Sequence, residues 1–221
     1  MVLDPGHNDG NYGHAAQIDK LVNAGGFMKP CDTTGTSTDD GYTEAAFTFD
    51  VAKRLTKLLR TDGARVVLTR TDDHSVGPCV NTRAQIGNKA HANVALSIHA
   101  DGGPPTGHGF HIMEPTKGTG HDDAIVAPSA RFATRLRDAY RSGTGMPTST
   151  YIGTNGLNPR SDMAGLNLST VPKVLVECGN MRNAGDAALL KSASFRQKIA
   201  RALAAGIVAY LSSKQAGAGT A

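Results

Sequence analysis

Tryptophan is absent from this 221-residue chain, and aromatic residues amount to six Phe and five Tyr. A nucleic-acid surface made of a basic stripe interleaved with stacking rings is therefore unsupported. The 23 Lys and Arg are scattered rather than blocked and the net charge is only +4, which allows mild attraction to polyanionic surfaces but gives no reason to expect nucleic acid as a partner. No apolar run approaches the roughly 18–20 residues needed to cross a bilayer, so no transmembrane segment is expected. Cysteine is limited to Cys31, Cys79 and Cys178. A domain of this length buries about 70% of its unfolded surface and folds without needing disulfides.

What is present describes an enzyme-like globular domain. Hydrophobic residues are 39% and charged residues 19%, and the length fits one domain better than two. The 26 Gly and 10 Pro exceed the roughly 12% of average usage, a sign of long ordered loops. Cys31 and Cys79 lie in such loops (CDTTGTSTDDG and SVGPC), where exported proteins place disulfides. A 31–79 bridge is expected, with two free thiols as the other reading. Cys178 ends an apolar run and reads as a buried thiol. Met1-Val2-Leu3-Asp4 reads as the end of a buried strand; the expectation is that an export signal precedes it and that the protein acts outside the cytoplasm as a monomer.

Periodicity assigns the elements. Residues 1–4 form a strand end, followed by a long loop or hairpin insertion over 8–43, and loops of that length are usually functional. Phe47, Val51, Leu55, Leu58 and Leu59 recur at helical spacing behind Thr43 as N-cap, with Gly63 past the end. Strands are expected at 65–70, 94–98, 109–113 and 172–177, with a further short one near Tyr151. Helices are expected at 82–91, 129–141 and 194–212. This alternation predicts a single α/β domain over 1–212, a mostly parallel twisted sheet of about six strands with helices on both faces. Residues 213–221 read as a disordered tail.

In such sheets ligands collect at the carboxyl ends of strands. Three apolar strands here end in unusual polar residues: Leu3-Asp4-Pro5-Gly6-His7, Ser97-Ile98-His99-Ala100-Asp101 and Val176-Glu177. Glu44 stands where the long loop becomes a helix. Two His and one Glu with a position left for water form a known catalytic zinc arrangement, and a further carboxylate nearby serves as the proton-transfer group. Taken singly, a strand-end histidine is more often a hydrogen-bonded surface residue, and Glu44 reads as a favourable charge in a helix's first turn. For Glu177 the other reading is an ion pair with an arginine, although a carboxylate directly after Val-Leu-Val is costly to bury unpaired.

The order of motifs decides between these readings. Leu-Asp-Pro-Gly-His (3–7), Glu44 opening a helix, Leu-Thr-Arg-Thr-Asp-Asp (68–73), Arg-Ala-Gln-Ile-Gly-Asn (83–88), Ser-Ile-His-Ala-Asp (97–101) and Val-Leu-Val-Glu-Cys-Gly-Asn (174–180), closed by an amphipathic helix, resemble the zinc-dependent N-acetylmuramoyl-L-alanine amidases of the amidase-3 type. The resemblance spans residues 2–212. The stretch Arg-Ser-Asp-Met-Ala-Gly-Leu-Asn (160–167) is similar to actinobacterial members, compact single-domain mycobacterial ones above all.

That resemblance implies a peptidoglycan hydrolase that cuts the amide between N-acetylmuramic acid and the stem-peptide L-alanine. It implies one zinc ion held by His7, Glu44 and His99, with Glu177 as the catalytic carboxylate and peptidoglycan or muropeptides as substrate. The chain departs from the family at Asn180, where an aromatic residue is usual, which puts the local pocket shape in question. Asp4 is expected to orient His7 or its turn, or to act as a plain turn residue. Arg70, Arg83 and Arg160 are candidates for binding stem-peptide carboxylates, with structural ion pairs as the alternative. His14, His74, His91, His108, His111 and His121 lie outside the motifs and read as surface or loop residues. The competing functions are a zinc carboxypeptidase acting on the stem peptide and an inactive cell-wall binding module with the same fold.

Overall fold

The computed structural model describes residues 1–117 and 123–218. The elements in chain order are β1 (Val2–Pro5), α1 (Ala15–Ile18), β2 (Leu21–Asn23), β3 (Met28–Pro30), α2 (Glu44–Thr61), β4 (Val67–Leu68), α3 (Val80–Lys89), β5 (Ala95–Asp101), β6 (His111–Pro115), α4 (Val126–Thr144), β7 (Leu157–Arg160), α5 (Ala164–Asn167), β8 (Lys173–Asn180), α6 (Ala184–Lys191) and α7 (Ala193–Ala218). Six strands form one sheet in the order β4-β1-β5-β8-β6-β7. Every neighbouring pair is parallel except β6 with β8. The sheet is therefore mostly parallel, as expected of the α/β class.

Alternation along the strands divides the sheet into two faces. Leu3, Leu96, Ile98, Val174 and Val176 face a core shared with Phe47, Val51 and Leu55 of α2, Phe132 and Leu136 of α4, and Ile199 and Leu203 of α7. The opposite face carries the apolar residues Val2 and Ala95 against Ala92 and Val171, and Met113 and Leu175 against Leu166 of α5. On that face Asp4, Ser97, His99, Lys173 and Glu177 follow the same alternation. Residues of two chemistries thus share one side of the sheet, interleaved along its central strands β5 and β8.

Helix α2 begins as the sequence implies. The Thr43 hydroxyl accepts a bond from the Ala46 amide, which puts Glu44 in the first turn, at the end of the helix that favours negative charge. The insertion over 8–43 folds into α1 and the antiparallel β2–β3 hairpin. Its far end is tied to the start of α3 by a disulfide between Cys31 and Cys79, and Cys178 is a free, buried thiol.

Three local expectations are corrected. The edge strand β4 is reduced to Val67–Leu68, because Arg70 leaves the edge to bond inward. The strand expected near Tyr151 lies instead at Leu157–Arg160, while Tyr151 packs over Gly103 and Gly107. Helix α7 continues to Ala218, so residues 213–218 are helical rather than the start of a tail; 219–221 lie outside the described residues.

Candidate metal centre

His7 stands just past β1 in the left-handed region at φ 57°, a conformation that costs a non-glycine residue energy and persists only where surrounding bonds enforce it. Those bonds come from two buried arginines. Arg83 donates to Pro5 O at 2.7 Å and to His7 O at 3.3 Å. Arg70 donates to Pro5 O at 3.0 Å and Gly6 O at 3.3 Å, and the Thr48 hydroxyl reaches Gly6 O at 2.8 Å. Gly6 itself is required, because a Cβ there would lie 2.1 Å from the His99 ring.

The ring of His7 is held at both nitrogens. Nδ1 lies 3.2 Å from Thr33 O and 3.3 Å from Asp32 Oδ1. Both accept, so Nδ1 donates on that side, while Nε2 faces Glu44 Oε2 at 3.3 Å, a contact made through a second ring proton in the metal-free protein and one that a cation would replace. The other carboxylate oxygen of Glu44 lies 2.8 Å from His99 Nδ1 and accepts from the Ala100 amide at 3.2 Å. The two rings meet edge to face with centroids 4.9 Å apart. One nitrogen or oxygen from each of His7, Glu44 and His99 falls within 4.8 Å of the others. Gly35, at φ +76°, leaves room beside this trio: a Cβ there would come within 2.8 Å of Glu44 Oε2 and the His7 ring.

Charge is concentrated here. Burial would lower the His7 imidazole, but Glu44 and Asp32 outweigh it and push it up to about 10. Burial would raise Glu44, yet His7 and His99 hold it well below the usual carboxylate range. The same negative potential that favours a proton on imidazole favours a cation, and a His-Glu-His donor set suits a divalent metal. The residues fit such an ion.

Glu177 faces the same cavity of about 290 Å³, together with His7, Glu44, His99, Asp101 and Gly102. It pairs in register with His99 across β8 and β5. Burial, then the negative charges of Glu44 and Asp101, push its carboxyl well above the ordinary value, and its Oε2 is buried without a hydrogen-bond partner. A carboxyl that readily holds a proton is what general acid–base chemistry uses. A second, narrower cavity of about 180 Å³ opens behind His7 and His99, walled by Lys29 and Pro30 of the hairpin and Met163 and Ala164 next to α5. Part of the insertion thus lines the space beside the trio.

The remaining sequence candidates sort by burial. Asp4 lies beneath the site: Ser97 donates to it at 2.6 Å, Thr69 at 2.7 Å, Arg83 at 3.1 Å and Lys173 at 3.2 Å. It reaches the His7 turn through Arg83 rather than directly. Arg70 and Arg83 are inside the protein and spend their donors there, so neither is placed to meet a substrate. Arg160 is half-buried, forks onto Asp162 at 2.7 and 2.6 Å, and is close enough to Glu177 and Asp101 to feel both. Of the other histidines, His14, His74 and His91 are exposed and His108 half-buried, and His121 lies outside the described residues. His111 is the exception, fully buried in β6. Asn180 explains its own departure from the family pattern, since its amide donates to Pro104 O and Gly107 O at 2.8 Å each and ties down the loop after β5.

Asp32 was missed by the sequence reading. It follows Cys31 in a Thr/Asp/Gly-rich loop, where aspartate is ordinary turn chemistry, and only the bridge to Cys79 and the bond to Arg83 at 3.1 Å give it away.

A three-layer α/β sheet with two imidazoles and a carboxylate clustered at its strand ends, beside a second buried carboxylate, defines a candidate metal-dependent hydrolase. The family model described as Amidase_3, N-acetylmuramoyl-L-alanine amidase, matches residues 1–209, and the chain belongs to that family. It is 44% identical over 216 residues to the N-acetylmuramoyl-L-alanine amidase Rv3717 of Mycobacterium tuberculosis, spanning 97% of this chain and 87% of that protein. The crystal structure of the N-acetylmuramyl-L-alanine amidase Ami1 from Mycobacterium smegmatis superposes with a TM-score of 0.90 at 47% identity, covering 96% of each chain. The apo form of Ami1 from Mycobacterium abscessus gives 0.89 at 46%, covering 95% of this chain and 97% of that one.

Proposed function

We propose that this chain hydrolyses the amide bond between N-acetylmuramic acid and L-alanine of the peptidoglycan stem, with one zinc ion held by His7, Glu44 and His99 and with Glu177 as the proton carrier. The observation that carries the reading is that a His-Glu-His donor set and a further buried carboxylate, Glu177, share one cavity. When bound, a divalent cation on such ligands supplies Lewis acidity, bringing the pKa of water to about 7 and polarising a carbonyl. Glu177 takes a proton from the attacking water as its oxygen bonds to the lactyl carbonyl carbon. As the C–N bond breaks, Glu177 returns the proton to the departing alanine nitrogen. The products are a lactyl carboxylate on the glycan and a free stem peptide.

Asp32 keeps Nε2 of His7 directed into the cavity, and Arg83 and Arg70 hold the turn that presents it. Arg160, whose charge reaches Glu177 and Asp101, is the choice for a peptide carboxylate, in exchange for its pairing with Asp162. A disulfide and a cell-wall substrate both favour action outside the cytoplasm.

The test is mass spectrometry of muramyl dipeptide and longer muropeptides after incubation, with and without a chelator. A released peptide bearing a new L-alanine amine, lost on chelation, is the expected result. Release of a terminal amino acid would make the chain a carboxypeptidase, and binding without turnover would make it a cell-wall binding module; either overturns the proposal.

A further inference from the structure

His99, Glu177 and His111 form one row across three adjacent strands. His99 pairs in register with Glu177 across β5 and β8, and Glu177 with His111 across β8 and β6. Residues directly opposite in an antiparallel pair project to the same face, with Cβ atoms about 4.5–5.5 Å apart. The next pair along the same face, Met113 opposite Leu175, is apolar and packs against Leu166. Strand β6 therefore changes from apolar to imidazole at the position facing Glu177.

His111 has a relative exposure of 0%, and both Nδ1 and Nε2 are buried without a hydrogen-bond partner, as is Oε2 of Glu177. Buried polar atoms in native proteins are almost always paired; no bond joins His111 to Glu177 here, but unpaired atoms on facing side chains are brought together by a change of rotamer. The surroundings offer little else. The Tyr151 ring stands edge-on to His111 at 6.2 Å, with its hydroxyl already given to Asp101 at 2.9 Å. The charged groups that reach His111 are Asp101 of β5 and Arg160 of β7, acting in opposite directions. Burial, helped by Arg160, brings the imidazole down to about 4. A neutral imidazole has one N–H to donate and one nitrogen to accept.

We propose that His111 is a positioning residue for Glu177: its ring N–H donates to one carboxylate oxygen and so aims the other into the cavity. This rests on the role given to Glu177 above. It places His111 on the side of Glu177 away from the trio, so its loss disturbs proton transfer and leaves the metal ligands in place.

Two variants and one spectrum test it. In His111→Phe, which fills the space but cannot donate, kcat falls on the order of tenfold or more, a share of the 10²–10⁴ that a placed acid–base group contributes, while KM and zinc affinity stay as in the parent. His111→Gln, which keeps an N–H donor, recovers most of the loss. In the ¹⁵N spectrum of the zinc-loaded protein, the His111 ring N–H resonance shifts on Glu177→Gln. Parental kcat in His111→Phe, equal losses in both variants, or a resonance that ignores Glu177→Gln overturns the proposal. If His111→Phe does not fold, the glutamine variant and the spectrum decide. The spectrum does not depend on turnover, so a parent protein inactive on muropeptides would sink the proposed reaction while the pairing is still judged on its own.

Discussion

Asp32 Oδ1 lies 3.3 Å from His7 Nδ1, and Asp32 directly follows a cysteine bonded to Cys79, the N-cap of α3. A carboxylate that orients a histidine of the candidate metal centre is thereby anchored covalently, and Arg83 grips its other oxygen at 3.1 Å. The histidine, the loop and the helix form one mechanical unit.

Asp32→Ala is expected to weaken zinc binding by about 10- to 100-fold, the usual effect of losing a group that orients a metal-bound histidine. Competition with a fluorescent chelator measures it. Unchanged affinity would remove Asp32 from the centre.

Replacing both Cys31 and Cys79 by Ser, whose parent bridge spans a sequence separation of 48, should lower stability by about 4 kcal/mol in the loop-entropy description. Urea unfolding reads this directly. Zinc affinity should fall with it, because the same bridge holds the Asp32 loop; a variant as stable as its parent would contradict the role assigned to the bridge.

Glu177→Gln keeps the size of the side chain but not the proton carrier. Turnover is expected to drop by about 10²–10⁴, with metal content by plasma emission unchanged. Substantial activity in this variant would take Glu177 out of the mechanism.

Asp4 is expected to make the fold sensitive to acid. Burial would raise its carboxyl, but Lys173 and Arg83 hold it well below the ordinary value of 3.8. Since the folded state binds the proton less readily than the unfolded state, the stabilisation is complete above about pH 4 and fades as the pH falls further. Asp4→Asn leaves the buried Lys173 and Arg83 without their counter-charge and should cost about 3–5 kcal/mol at neutral pH, the range for a broken buried pair. Its stability should also vary less with pH below 4 than the parent's, as followed by thermal melts across pH 2–6.

His7, Glu44, His99 and Glu177 stood out as candidates in the sequence for a local reason, and the order of motifs along the chain then singled them out. Each interrupts an apolar strand or opens a helix, and polar residues at such places break the pattern that burial imposes. The class of the fold was legible on the same ground, since strand and helix periods alternate. Asp32 and His111 were hidden because nothing within several residues marks them: one sits in a loop where aspartate is commonplace, the other among several histidines of no apparent consequence. Arg70 and Arg83 look like any solvated arginine until the fold encloses them. Strand register and the reversed direction of β6 against β8 assigned His111, a covalent link between distant loops assigned Asp32, and buried hydrogen bonds to the β1 turn assigned Arg70 and Arg83. These are pairings between residues far apart in the chain, set by the packing of the whole sheet, which no local pattern of hydrophobicity encodes.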